Sequence, residues 1–208
     1  YTLSLHDPLP ISLQRLRFGE GESIRIDTGV READAVTPFY DPMIAKVIAW
    51  DEDRNGAAAK LATALAHTQV AGVATNAGFL VRALRNTAFL ADDIDTGFID
   101  RHLAELTTAP PATTALPQAV EFLLIERARG DHSGPWDAQD GFRLSGEAKE
   151  HLTFTQGEDR FPVEIVHKRG ATEIVIAGKP QAPASAENAM RLANGEIAIM
   201  HNGDTQIF

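Results

Sequence analysis

No regular helix or strand can run through Thr107–Pro117, because this stretch, TTAPPATTALP, holds three prolines among threonines and alanines. Each proline lacks a backbone donor and fixes φ, and the residue before it is pushed away from helical geometry. The chain is therefore divided there, into a part ending at Leu106 and a part beginning at Gln118. With 208 residues, 44 % of them hydrophobic, each part has enough apolar side chains for a core.

The two parts differ in periodicity. In the first, apolar and polar residues alternate from Leu13 to Asp27 around Gly19-Glu20-Gly21, the period-2 pattern of a hairpin. Pro42 opens Met43–Trp50, a nearly continuous apolar run that predicts a central strand buried on both faces. Asp51–Arg54 is a polar turn with carboxylates where a helix begins. Ala57–His67 then carries Leu61 and Leu65 four apart among alanines, an amphipathic helix. Thr75 is placed to cap a second helix with Phe79, Leu80, Ala83 and Leu84 on one side. Thr96 is placed to cap a short third one with Ile99 and Leu103.

The second part has one helical pattern, Ala119–Arg129, with Phe122 and Leu123 on its apolar side and a basic C-terminal end at Arg127 and Arg129. From Glu150 onward it reads as short strands, and the intervening QGED, KRGA, ANGE and HNGD each contain the Gly that a hairpin turn favours. The expected class is α+β: a mixed or antiparallel sheet with helices over residues 12–106, a linker over 107–117, and a helix with an antiparallel barrel over 118–208. Phe208 has no closing turn after it, so the expected barrel is cut short.

Charge removes one class of partner. Lysine plus arginine total 19 against 29 acids, and each part is acidic by itself, 10 against 15 up to Leu106 and 9 against 14 after it. Nucleic acid demands a clustered positive surface, and none is hidden here. The absence of cysteine excludes disulfides and thiolate chemistry. No apolar run approaches the roughly 20 residues that cross a bilayer, so a membrane partner is not expected. Tyr1–Ile11 has neither the basic nor the apolar region of a signal peptide; it resembles the translation of a sequencing adapter and is left outside the fold.

There is no Walker loop, no His-Glu-x-x-His and no Gly-x-Ser-x-Gly elbow. The seven histidines include no pair at i, i+4, so no metal site is expected. What remains informative is Ser23–Val30 (SIRIDTGV), followed by 38–46 (PFYDPMIAK), Gly72–Asn76 (GVATN) and Asp95–Ile99 (DTGFI). In this order, over about ninety residues, they resemble the R-x-D-(S/T)-G, YYDPMIAK, G-(V/I)-x-TN and DT-x-FI of the C-terminal subdomain of biotin carboxylase, an ATP-grasp enzyme. Ala74 departs from the pattern, where the family often has lysine.

The resemblance implies a reaction in which ATP activates bicarbonate and the resulting CO₂ is captured by biotin, in the α subunit of a biotin-dependent acyl-CoA carboxylase. ATP and Mg²⁺ would be held upstream, and biotin on a carrier domain beyond Phe208. Arg25 falls where the family keeps an arginine that contacts bicarbonate and the ureido oxygen of biotin. A guanidinium stays protonated and presents a planar fork to an oxyanion. Read from the residues alone, Arg25 is an outward-facing strand residue. Phe98 aligns with a position near the adenine, and read alone it is core packing of the third helix. Tyr40, Asp41 and Lys46 belong to the second motif but suit structural roles, Asp41 as a turn former and Lys46 as the outward residue of a strand. Thr75 and Asn76 read as a helix cap.

In the second part, 134–145 (GPWDAQDGFRLS) and 195–204 (GEIAIMHNGD) resemble, more loosely, the segment joining biotin carboxylase to the biotin carrier in 3-methylcrotonyl-CoA and related carboxylases. That segment is a helix embraced by an antiparallel barrel, and it docks the carboxyltransferase β subunit. Ala189-Met190-Arg191 has no lysine for biotin. The resemblance therefore implies a fragment, inactive alone, of a hetero-oligomer in the cytoplasm, or in the mitochondrial matrix of a eukaryote. Propionyl-, acetyl- and geranyl-CoA carboxylases are near relatives. Two other readings stand beside it: a non-catalytic assembly module, and a small-molecule-binding barrel.

Overall fold

A computed structural model describes residues 11–36, 43–129, 147–168 and 171–208 of the chain. They form two compact units, Tyr1–Ala109 with Met200–Thr205, and Pro110–Ile199 with Gln206–Phe208.

In the first unit the strands pair across long sequence distances. β1 (Ile11–Ser12) pairs with β4 (Ala35–Val36), β2 (Arg15–Arg17) with β6 (Gln69–Ala71), and β3 (Ile24–Thr28) with β5 (Ala45–Ala49), all antiparallel. The hairpin expected across Gly19–Gly21 does not form, since β2 and β3 take different partners. Alternation fixes which face of a strand is buried and leaves open which strand lies beside it. Gly19 serves a close approach: a Cβ there would lie 2.2 Å from the carbonyl oxygen of Ala64. Leu13 and Leu16 turn inward onto Val70 and make a small core.

β5 also differs from expectation. It alternates, with Lys46 and Ile48 exposed and Val47 half-buried, and Met43 and Trp50 at its ends are 60 % and 65 % exposed. Among the described residues nothing covers its second face.

The helices fall close to the predicted spans. α1 (Arg54–His67) is capped by Asp53, whose Oδ1 accepts from the backbone N–H of Gly56 at 2.7 Å. The cap satisfies a donor that helix geometry leaves free. At the other end Thr68 closes the helix, its Oγ1 donating to Ala64 at 2.9 Å and accepting from the Gly19 N–H. α2 (Ala77–Arg85) follows, with Thr75 Oγ1 accepting from Ala77. A short α3 (Thr87–Leu90), capped by Asn86, was not foreseen. In α4 (Phe98–Thr107) the buried positions are Phe98 and Leu106, while Ile99 and Leu103 are about half exposed, at 50 % and 48 %. Two stripes at i, i+4 compete on this helix, and the one carrying the aromatic ring turns inward because it removes more apolar surface from water.

The second unit begins with one 3-10 turn, Ala112–Thr114, so the proline-rich segment is ordered and ends in the first turn of α5 (Leu116–Ala128). Pro117 sits in that first turn, where a missing donor costs nothing. β7 (Ala148–Gln156), β8 (Asp159–Lys168), β9 (Ala171–Ile176) and β10 (Lys179–Pro180) make one antiparallel sheet in the order β10-β9-β8-β7. β11 (Ala189–Arg191), β12 (Ile197–His201) and β13 (Asp204–Ile207) make a second of three strands. Leu116, Ala119 and Val120 of α5 share one core with Val163, Ile165 and Ile174 of the first sheet and Ile197 and Ile199 of the second. Antiparallel strands around a helix are thus the architecture, distributed over two sheets. The turn Asn202-Gly203, with φ of 52° and 78°, is the primed type whose twist matches a hairpin.

Candidate functional site

The face of β3 and β5 turned to solvent is set by register. Arg25 stands opposite Ile48 and Asp27 opposite Lys46, and because side chains alternate along a strand, Arg25 and Asp27 share one face. Arg25 Nε and Nη2 donate to Asp27 Oδ1 and Oδ2 at 2.9 and 3.0 Å. The side chains are 74 % and 45 % exposed. The hydrogen bond from Arg25, aided by the charge of Lys46, holds the Asp27 carboxyl below its ordinary range, and the same hydrogen bond raises Arg25.

This geometry has a chemical consequence. A guanidinium has five N–H donors in one plane, and Asp27 takes the side edge formed by Nε and Nη2. The end edge, Nη1 and the outer hydrogen of Nη2, has no partner among the described residues and faces outward. That edge fits a planar oxyanion through two parallel hydrogen bonds. With Lys46 beside Asp27 the cluster carries a net charge of +1, attractive to an anion and not neutralised by its own carboxylate.

The backbone beneath Arg25 is constrained on both sides. Ser23, two residues earlier, has φ of 62°, and its carbonyl accepts from Trp50 N at 3.0 Å, closing the β3–β5 ladder. Thr28 Oγ1 lies 3.0 Å from the Ile44 carbonyl and ends the strand.

The other residues singled out from sequence lie elsewhere. Phe98 is 7 % exposed, its ring 6.1 Å from that of Phe89 and 5.0 Å from that of His102, so it is packed as a core residue. Tyr40 and Asp41, with the rest of 37–42, lie outside the described residues, as does the 134–145 motif. Gly72 has φ of 98°, and a Cβ there would meet the carbonyl oxygen of Ser12 at 2.1 Å; this motif glycine is explained by chain crossing. Asn76 precedes α2 without a side-chain cap. Asp204, in the 195–204 motif, accepts from Arg82 Nη1 at 2.6 Å, a structural contact within the first unit. Arg191 donates from Nε and Nη2 to Glu126 Oε2 and from Nη1 to the Gly195 carbonyl.

A cleft of ≈ 730 Å³ also opens in the first unit, between Ile44 and Val47 on one side and Leu61, Leu65, Leu80 and Leu84 on the other. Arg25 is not among its lining residues. Among the described residues no three His, Cys, Asp or Glu side chains group as metal ligands, and no helix is long and apolar enough to cross a membrane.

Sequence reading singled out Arg25 and did not remark on Asp27, its ion-pair partner. The signal was present as the spacing R-x-D, which on a strand puts both side chains on one face.

Comparison with known proteins adds the following. Residues 8–101 match the family model described as biotin carboxylase C-terminal domain. The chain is 32 % identical over 183 residues to the mitochondrial methylcrotonoyl-CoA carboxylase subunit alpha of Dictyostelium discoideum, covering 85 % of this chain and 25 % of that one. It is 36 % identical over 184 residues to the same subunit of Oryza sativa subsp. japonica, covering 77 % and 25 %. A crystal structure of the biotin carboxylase subunit of pyruvate carboxylase aligns at a TM-score of 0.46 and 26 % identity, over 49 % of this chain and 22 % of that one. The chain thus spans about a quarter of the length of the curated relatives it matches.

Proposed function

We propose that this chain, whose residues 8–101 match the family model described as biotin carboxylase C-terminal domain, is part of the α subunit of a biotin-dependent carboxylase of the methylcrotonoyl-CoA type. In the complete subunit it would contribute Arg25 to the ATP-dependent carboxylation of biotin by bicarbonate. The observation that carries this reading is the end edge of the Arg25 guanidinium, without a partner among the described residues and presented on the face of the β3–β5 sheet. ATP, Mg²⁺ and the carrier-borne biotin are assigned to parts of the subunit other than this chain.

The residues present fit the charge that the chemistry develops. Bicarbonate is a planar anion, and the ureido oxygen of biotin gains negative charge when N1 loses its proton. A cation that keeps its proton at any working pH stabilises both without itself exchanging protons. The carboxylate of Asp27 holds it in place, and the stabilisation is ready before the reaction begins. The second unit, with its core around α5, takes the joining role: it connects the biotin carboxylase region to the carrier domain and offers a surface to the carboxyltransferase β subunit.

The experiment is Arg25→Ala in the complete subunit, assayed for biotin carboxylation and, separately, for ATP binding. Carboxylation is expected to fall by about two to three orders of magnitude with ATP affinity retained. Undiminished carboxylation would remove the assignment. A second reading, assembly without catalysis, predicts a stable complex of this chain with a carboxyltransferase β subunit in the absence of ATP and biotin, seen by size-exclusion chromatography.

A further inference from the structure

Asp27 is close to Arg25 for a reason that the Arg25 assignment alone does not require. An arginine on an exposed strand has four rotatable side-chain torsions, and without a partner it samples many rotamers. Here Nε and Nη2 are bound side-on at 2.9 and 3.0 Å by both oxygens of one carboxylate, from a residue two positions along the same strand. A short aspartate on a paired strand has little freedom of its own, and β3 is registered against β5 over its full length, from Ile24 opposite Ala49 to Thr28 opposite Ala45. Lys46 stands across from Asp27 in the strand register, and its charge adds to that of Arg25 in favouring the ionised carboxylate.

We propose that Asp27 is the positioning residue of this site: it fixes the plane and direction of the Arg25 guanidinium by occupying its side edge, and so leaves the end edge aimed at the substrate oxyanion. The inference rests on the role proposed for Arg25. It adds that the R-x-D pair works as one unit, in which the acid never touches the substrate and a side-on grip selects an end-on acceptor. An end-on grip by Asp27 would have blocked the edge that the anion needs, and the aspartate would then compete with bicarbonate.

The test uses the complete subunit carrying Asp27→Asn, Asp27→Ala, Asp27→Glu and Arg25→Ala. Loss of orientation is expected to lower kcat for biotin carboxylation in Asp27→Asn and Asp27→Ala by about tenfold to a hundredfold, with KM for ATP within about twofold of the parent. Asp27→Glu, which restores the carboxylate at a longer reach, is expected to recover part of the loss. In the Arg25→Ala background Asp27→Asn should cost nothing further, because there is no guanidinium left to hold.

A rate that rises in Asp27→Ala would overturn the proposal, by showing that the carboxylate competes with the anion. So would a normal rate in Asp27→Asn alongside a dead Arg25→Ala; that result leaves the Arg25 assignment standing. If Arg25→Ala is itself fully active, the function proposed for Arg25 falls first, and the role of Asp27 with it. A drop in melting temperature that matches the loss of rate, without recovery in Asp27→Glu, would assign Asp27 to folding and refute positioning.

Discussion

Replacing Gly78 by alanine is expected to weaken the first unit, against the usual effect of that exchange in a helix. Gly78 is the second residue of α2, and alanine there would ordinarily stabilise by up to about 1 kcal/mol. A Cβ at Gly78, however, would lie 2.1 Å from Asp204 Oδ1, 2.4 Å from its Cγ and 2.6 Å from Oδ2. The carboxylate must leave, and it is the partner of Arg82, whose Nη1 bonds it at 2.6 Å while Nε donates to the Leu106 carbonyl at 2.7 Å. Both charged side chains are largely buried, 25 % and 22 % exposed. Losing a charge-assisted hydrogen bond costs about 1.5–3 kcal/mol, which the remaining exposure reduces to roughly 1–2 kcal/mol. Set against the helix gain, Gly78→Ala is expected to destabilise by about 0.5–1 kcal/mol. In an Asp204→Ala background the clash is gone and the same exchange should stabilise. Urea unfolding of the four proteins of this cycle, followed by circular dichroism, reads the sign directly. A stabilising Gly78→Ala in the parent chain would refute the reasoning.

Four further outcomes are expected. Ile165→Ala, at a fully buried position of β8, should cost about 2–5 kcal/mol, visible as a lowered urea midpoint. Ser23→Gly removes a side chain from a φ of 62° and should raise stability by about 0.5–1 kcal/mol, measured the same way; a loss would show that the Ser23 side chain has a role of its own. Gly72→Ala, with φ of 98° and the Ser12 carbonyl in the way, should prevent accumulation of folded protein, checked by soluble yield and circular dichroism. The carboxyls of Asp51, Asp95 and Glu164 are held below their ordinary range by the Glu52 N–H and Lys60, by Arg101, and by Lys149 respectively. Groups lowered on folding stabilise above the unfolded carboxylate range, near pH 4, and lose that contribution as pH falls through their folded values. Thermal melts should therefore decline below about pH 4, and less steeply in high salt, because these pairs are screened by solvent.

How much of this was legible in the sequence depends on the range of the interactions. The position of α1 was readable because its cap and its i, i+4 apolar spacing act within one turn or two; α4 was placed nearly where it lies, but its N-cap is Gly97, without the side-chain cap expected from Thr96, and it buries Phe98 and Leu106 in place of Ile99 and Leu103. The strands of the second unit were readable because each turn carries its own glycine. The pairing of β2 with β6 was not, since Arg15 and Ala71 are brought together by everything between them. The Arg82–Asp204 contact, 122 residues apart, left no local trace. At the candidate site the cation was singled out through its motif and the acid that pairs with it was passed over, although R-x-D on a strand is as local a signal as a helix cap. For Phe98 two readings stood side by side, a position near a ligand and core packing, and the structure packs its ring against Phe89 and His102.

The first unit takes Met200–Thr205 as part of itself, although the ninety residues 110–199 belong to the second. During synthesis the residues up to Ala109 leave the ribosome well before the hairpin tip that holds Asp204. Arg82 must then wait, its charge hydrated, until the whole second unit has been made. A nascent chain stalled between these points would carry an incomplete first unit, open to proteases and chaperones, and Met200–Thr205 would complete a fold begun well before them.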